Sequence, residues 1–225
     1  MTGTIVNVVA IIVGSLLGIF FKERFPRKMQ QTVMQGLGLA VILIGIQMAL
    51  QTKNILIVIF SLVLGGVVGE LIDIEKKLNN VGEYIRKKFN SKDDLFVQGF
   101  VQASLVFCVG AMAIMGSIQD GLNNDPTILY NKSMLDGFAS IAFAATSGIG
   151  VAFSAIPVLL YQGGITLLSS TAEKFLSDAM ITEMTATGGL LILAIGLNIM
   201  GLGKIKVGNL LPSLVFAILL TIFIL

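Results

Sequence analysis

Residues able to do polar chemistry are scarce in this sequence. It has no histidine and a single cysteine, Cys108, which excludes Ser-His-Asp catalysis, histidine metal sites and an intrachain disulfide. What remains is a set of carboxylates, hydroxyls and amides around two stretches rich in small residues, CVGAMAIMGSIQDG from Cys108 to Gly121 and DGFASIAFAATSGIGVAFSAIP from Asp136 to Pro157. Asp120 and Asp136 flank these stretches, Ser140, Ser147 and Ser154 lie within the second, and Gln162 follows in an apolar run beside Tyr161, Gly163 and Gly164. If the helices there are broken or re-entrant, the carboxylates can handle a cation or a proton, and the hydroxyls and the amide can contact a small solute. Each group also has a plainer use: hydroxyls bonding back to their own helix, carboxylates at the membrane boundary, and an amide joining two helices.

Other chemistries find no residues to carry them. Glu70 and Glu183 fall at the ends of apolar runs, and Met112 and Met115 read as packing residues, because Cys108 has neither a second thiol nor a histidine beside it. No glycine-rich phosphate cradle, no basic patch interleaved with aromatics and no nucleophile paired with a base is present. The expectation is no enzyme, no cofactor, no metal site and no nucleic-acid partner.

The elements that hold these residues are apolar. Of 225 residues, 55% are hydrophobic and 12% charged, about half the charge of a soluble domain, and mean hydropathy is +0.92. Charge-free intervals run from Met1 to Phe21, Met29 to Thr52, Asn54 to Gly69, Leu95 to Gln119, Met184 to Gly203 and Val207 to Leu225, each near the roughly 20 residues that cross a bilayer. Gly137 to Ala172 is 36 residues without a charge, about 54 Å as one helix, so Gly148, Gly150 and Pro157 are taken to divide it in two. The expected architecture is all-α and polytopic, a single integral membrane domain over 1–225. Eight spans are expected, at about 3–21, 31–51, 54–72, 95–117, 134–149, 152–170, 181–202 and 207–225, with seven as the alternative. The opening segment lacks the basic start and small-residue cleavage site of a secretory signal and is read as a span.

Basic residues orient the chain. With eight spans and both termini outside, all fifteen Lys and Arg residues except Lys53, Lys132 and Lys174 fall on the cytoplasmic side. Between Asp73 and Lys92, Ile74, Leu78, Val81, Ile85 and Phe89 recur at helical spacing opposite Lys76, Lys77, Arg86, Lys87 and Lys88, which predicts an amphipathic helix on the inner leaflet. Gly121 to Ser133 reads as an external loop. The patterns Gly14-x-x-x-Gly18 and Gly65-x-x-x-Gly69 allow close helix crossing and suggest a homo-oligomer, a dimer first.

An internal register also emerges. Leu39 to Gln47 (LAVILIGIQ) lies over Leu190 to Asn198 (LLILAIGLN), and the same offset pairs Gly38 with Gly189 and Lys53 with Lys204. With eight spans the matched helices run in opposite directions, so three spans at each end form inverted repeats, an architecture common among secondary transporters.

Four segments carry a family resemblance: GTIVNVVAIIVGSLLG near the start, FCVGAMAIMGSIQDGL from Phe107 to Leu122, KSMLDGFAS from Lys132 to Ser140, and the Gln162-Gly163 pair. Over nearly the whole chain the sequence resembles the bacterial YdfK/YqgA-like membrane proteins. That resemblance implies a multi-pass protein of a prokaryotic inner membrane and brings no substrate and no functional residue with it. The functional expectation is a small secondary transporter or ion-coupled carrier for a small solute or ion, a monovalent cation or a proton included. Its site would lie between the broken helices and use Asp120, Asp136, Ser140, Ser147, Ser154 and Gln162. The alternatives are a channel or holin-like oligomer and a non-transporting sensor or scaffold.

Overall fold

The computed structural model describes residues 1–22 and 27–224, which are mainly helical with no strand among them; Arg24, one of the basic residues expected on the cytoplasmic side, lies outside them. In chain order the helices are α1 (Thr2–Lys22), α2 (Arg27–Ala49), α3 (Ile55–Ile72), α4 (Ile74–Lys88), α5 (Phe96–Cys108), α6 (Ala111–Leu122) and α7 (Thr127–Ser147). They continue with α8 (Gly150–Phe153), α9 (Ala155–Leu167), α10 (Ser169–Phe175), α11 (Asp178–Ile199), α12 (Val207–Leu210) and α13 (Pro212–Ile224). The protein is an all-α polytopic membrane protein. Among the described residues six helices are long and apolar enough to cross a bilayer, and α5 with α6, bent by 62°, can make a seventh span.

The faces of the helices identify the solvent. On α1, Ile5, Val9, Ile12, Leu16 and Phe20 recur at three- and four-residue spacing and are exposed, while Thr4, Asn7 and Ser15 are fully buried. A helix in water would turn the other way, since apolar surface leaves water and polar groups seek it. An apolar outside over a polar inside fits hydrocarbon surroundings.

Local chemistry sets the breaks. Asn54 caps α3 by accepting from the Leu56 N–H, and Asp73, at φ 55°, separates α3 from α4. Gly110, at φ 145°, makes the bend between α5 and α6, and Gly148, at φ 77°, ends α7; few side chains tolerate either angle.

Close contacts divide the chain into two compact units. The first comprises 1–37, 79–108 and 112–173, and its central pair is α1 and α7. A Cβ on Gly3 would strike Leu129, one on Gly14 the Gly137 carbonyl, and one on Gly18 the Ile141 carbonyl. Numbers rise together, so the two helices run side by side in the same direction. Phe107 of α5 meets Phe143 of α7 edge-on at 6.0 Å. Gly150 sits against the Phe96 carbonyl, closing α8 onto α5.

The second unit comprises 38–78, 109–111 and the chain from 174 onward. Here the numbers oppose each other. Gly45 packs on the Gly189 carbonyl and Gly189 on the Gly45 carbonyl, while Gly38 and Gly196 meet in the same reciprocal way. Gly65 abuts Ser213 and Gly69 abuts Asn209. Helix α2 is therefore antiparallel to α11, and α3 to the α12–α13 pair.

Several expected boundaries shift for identifiable reasons. The loop expected over Gly121 to Ser133 is short, because Asp125 accepts from both the N–H and the hydroxyl of Thr127 and starts α7 there. Lys132, expected in an external loop, is consequently buried on α7. The span expected over 95–117 is bent at Gly110; the division expected between 149 and 152 falls at Gly148, and Pro157 lies in the first turn of α9, where a missing N–H costs nothing. The amphipathic segment is α4, with Val81 and Tyr84 exposed on it and Phe89 exposed just past its end. Gly14, Gly18, Gly65 and Gly69 are occupied within the chain, so they offer no face to a second copy.

Candidate functional site

The polar core of the first unit is built on α1, α7 and α9. Lys132 and Asp136, four residues apart on α7, form an ion pair in which both residues are more than nine-tenths buried. Asn7 of α1 donates from Nδ2 to the Asp136 carboxylate at 3.0 Å and to Oε1 of Gln162, on α9, at 3.4 Å. Asn7 and Gln162 are fully buried, yet Oδ1 of the first and Nε2 of the second have no partner. Leaving such an atom unbonded costs on the order of 1 to 3 kcal/mol. Such orphans call for a partner such as water or a ligand, and they also occur elsewhere, at Ser61, Thr185 and Thr187 among others; this cluster differs in placing them beside a buried ion pair.

More unpartnered atoms extend the cluster. Thr4 lies one turn before Asn7 on α1, Thr166 one turn after Gln162 on α9, and Ser140 one turn after Asp136 on α7; each hydroxyl is buried and unpartnered. Cys108, at the end of α5, is within electrostatic reach of Lys132 and Asp136.

The residues singled out from sequence divide among three situations. Asp136 and Gln162 come together, bridged by Asn7, with Ser140 one turn away. Asp120 is buried on α6 but is spent on the start of α1, accepting from the N-terminal ammonium at 2.9 Å and the Gly3 N–H at 3.1 Å. It anchors a helix N-terminus, where a carboxylate also opposes the helix dipole. Ser147 and Ser154 lie away from the cluster, the first at the end of α7 and the second between α8 and α9. Ser154 donates back to the Val151 carbonyl at 2.6 Å, and the Ser147 carbonyl covers Gly99.

Asn7 and Lys132 were not among the sequence candidates. Asn7 carries the same signal as Gln162, an amide inside a charge-free run. Lys132 carries a fainter one, an acid four residues downstream.

In the second unit the buried acid is Glu183, at the start of α11. It accepts from the Thr52 hydroxyl at 2.6 Å and from the N–H groups of Lys53 at 2.7 Å and Asn54 at 3.1 Å. At the opposite end of α3, Asn209 accepts the Glu75 N–H at 2.7 Å while Glu75 accepts the Gly208 N–H at 2.6 Å. Glu70 pairs with Lys206 and with the Asn209 amide, and that pairing holds the Lys206 ammonium above its usual titration range. No group of His, Cys, Asp and Glu among the described residues could hold a metal ion.

Fold and core together define the class: a multi-pass helical membrane protein with an ion pair and unsatisfied amides buried among its helices. The chain belongs to the family described as protein of unknown function DUF554, whose model matches residues 2–222. It is 39% identical over 218 residues to the uncharacterized membrane protein YdfK of Bacillus subtilis (strain 168), covering 95% of this chain and 93% of that one. It is 32% identical over 222 residues to the uncharacterized protein YqgA of Escherichia coli (strain K12), covering 96% and 94%. No solved structure matches it.

Proposed function

We propose that the protein is a small secondary carrier whose transport site is the Asn7, Lys132, Asp136 and Gln162 cluster. The observation that carries this is the buried ion pair beside unpartnered amide atoms. Ionisable groups inside a membrane are costly and gather where ions or solutes pass, and the orphan atoms offer hydrogen bonds that the chain itself leaves unmade.

Helix directions support an eight-span topology. In the first unit α1 and α7 are parallel, which requires an odd number of crossings between them, met when α2, α3 and the bent α5–α6 pair each cross. In the second unit α2 and α11 are antiparallel, which requires an even number, met when α7 joins α3, the bent pair and α8–α9. Helix α7, too polar to pass on hydropathy, is then the fifth span. Both termini lie on one side, and the basic linkers make that side the outside of a prokaryotic inner membrane.

The reciprocal glycine contacts support the inverted repeat. One sequence offset places Gly38 over Gly189 and Gly45 over Gly196, and each of these glycines touches the counterpart of the other. Element bounds follow the same offset to within a residue: α2 ends at Ala49 and α11 at Ile199, while α3 spans Ile55–Ile72 and the α12–α13 pair Val207–Ile224. Two opposed hairpins of this kind are the scaffold on which many carriers alternate.

Purified protein in proteoliposomes tests the reading with a panel of small solutes and ions. A carrier gives saturable flux that falls to the level of empty vesicles in Asp136→Asn and Lys132→Gln. No flux across the panel, or unitary current steps in planar bilayers, contradicts it.

A further inference from the structure

The same cluster says what kind of substrate it takes, an inference that rests on the carrier reading. A metal cation would need the space beside the Asp136 carboxylate, and the Lys132 ammonium fills it. Donors, by contrast, converge there: Lys132 Nζ and Asn7 Nδ2 both point at Asp136, and the unpartnered Gln162 Nε2 belongs to the amide that Asn7 also bonds. The carboxylate of Asp136 is thus held as a bound anion would be held. The other titratable groups about the pair are Cys108 of α5 and, near Cys108, Tyr161 of α9; Asp120 of α6 and the N-terminal ammonium lie one turn of α1 away, and α1 itself contributes the neutral Asn7.

We propose that this is a proton-gated site for a small monovalent anion, in which Asp136 occupies the anion position until it is protonated. The charge balance is simple. Asp136 takes a proton and becomes a neutral acid, Lys132 stays an ammonium, and the pair changes from neutral to a single positive charge. A monoanion on Lys132 Nζ, Asn7 Nδ2 and Gln162 Nε2 restores neutrality, so one proton and one monoanion travel together without net charge. Protonation alone would leave a buried unpaired ammonium, and an anion alone would face the Asp136 carboxylate. Each is costly in low dielectric, and so each ligand favours the binding of the other. The unpartnered hydroxyls of Thr4 and Thr166 lie between the level of Asp120 and the cluster, since Gly3 binds Asp120 and the Thr166 carbonyl packs on Gly121. They are where water would bring the proton.

The test is direct binding of radiolabelled lactate, pyruvate and chloride to the purified full-length protein, from mildly acidic to mildly alkaline pH. At least one of the three binds the wild type, weakening toward alkaline pH with a limiting slope of about tenfold per pH unit, as one linked proton requires. Asp136→Asn, which keeps the shape of the protonated acid, binds that anion with no pH dependence. Lys132→Gln does not bind it, and Lys132→Arg does, which separates lost charge from lost fold. Failure of all three probes to bind at acidic pH, or unchanged pH dependence in Asp136→Asn, overturns the proposal. Flux of a neutral or cationic solute in the proteoliposome panel would then leave the carrier standing without its anion site, whereas anion binding with no flux of any solute would remove the carrier and leave the site.

Discussion

Asp136 and Glu183 are both buried carboxylates, and their surroundings differ in kind. Glu183 meets two backbone N–H groups and a hydroxyl of the loop before α3, so its charge is answered by a helix start that needs an acceptor in any case. Asp136 meets an ammonium and an amide, next to polar atoms that nothing in the chain completes. The first arrangement closes a loop on a helix, and its donors are fixed by the fold. The second holds a charge whose counterpart is a movable side chain and whose amide partner, Asn7, itself keeps an unpartnered oxygen. A buried acid therefore indicates function through the kind of partners it has and through what those partners leave open, more than through burial itself.

Variants that exchange the two behaviours sharpen this contrast. The largest effect is expected on flux: Asp136→Asn and Lys132→Gln should abolish it in proteoliposomes, while Glu183→Gln should retain it in whatever fraction of protein remains folded. On stability, Lys132→Ala strands the Asp136 charge and is expected to cost about 3 to 5 kcal/mol, read as a lower unfolding midpoint in detergent. Glu183→Ala leaves two N–H groups and a hydroxyl without an acceptor and should cost about 3 kcal/mol, with a proteolytic cut appearing near Lys53. Gly45→Leu and Gly14→Leu probe the helix pairs of the two units. Each drives a side chain into a neighbouring backbone and should cost about 1 to 3 kcal/mol, with Gly14→Leu also reducing flux because it displaces α1 from α7.

The smallest effect concerns a loop outside both comparisons. The Thr127 hydroxyl and N–H bonds hold Asp125 below the usual carboxylate range. A depressed acid stabilises the fold above its unfolded pKa, and that contribution disappears as pH falls through the folded value. Asp125→Asn should thus match the wild-type midpoint in strong acid and fall slightly below it at neutral pH.

Much of this was legible in the residues. Charge-free runs located the long apolar helices, since a bilayer of fixed thickness imposes a length. The offset relating Gly38 and Gly45 to Gly189 and Gly196 was readable in the sequence, whereas the contacts these glycines make with one another came only with the structure. Asp136 and Gln162 were visible as polar groups in apolar surroundings. Helix α7 was less so: it carries Lys132 and Asp136, hydropathy scores each as a separate penalty, and only the four-residue spacing with mutual burial makes them a neutral pair. Asp120 looked the same as Asp136 in sequence, because no pattern announces that the start of the chain folds back to it. Ser154 bonds back to its own helix beside a bend, a use that sequence alone does not separate from a site contact.

The contrast between the two acids has one most direct measurement, the thermal unfolding midpoint of the double variant Lys132→Met with Asp136→Leu, set beside Glu183→Ala. If the α7 pair serves transport, replacing both charges with apolar groups of similar volume removes a desolvation cost and leaves the midpoint unchanged or raised, while Glu183→Ala lowers it. A double variant that unfolds as early as Glu183→Ala, or earlier, would mean that the pair holds the fold together, and would contradict its assignment as the transport site.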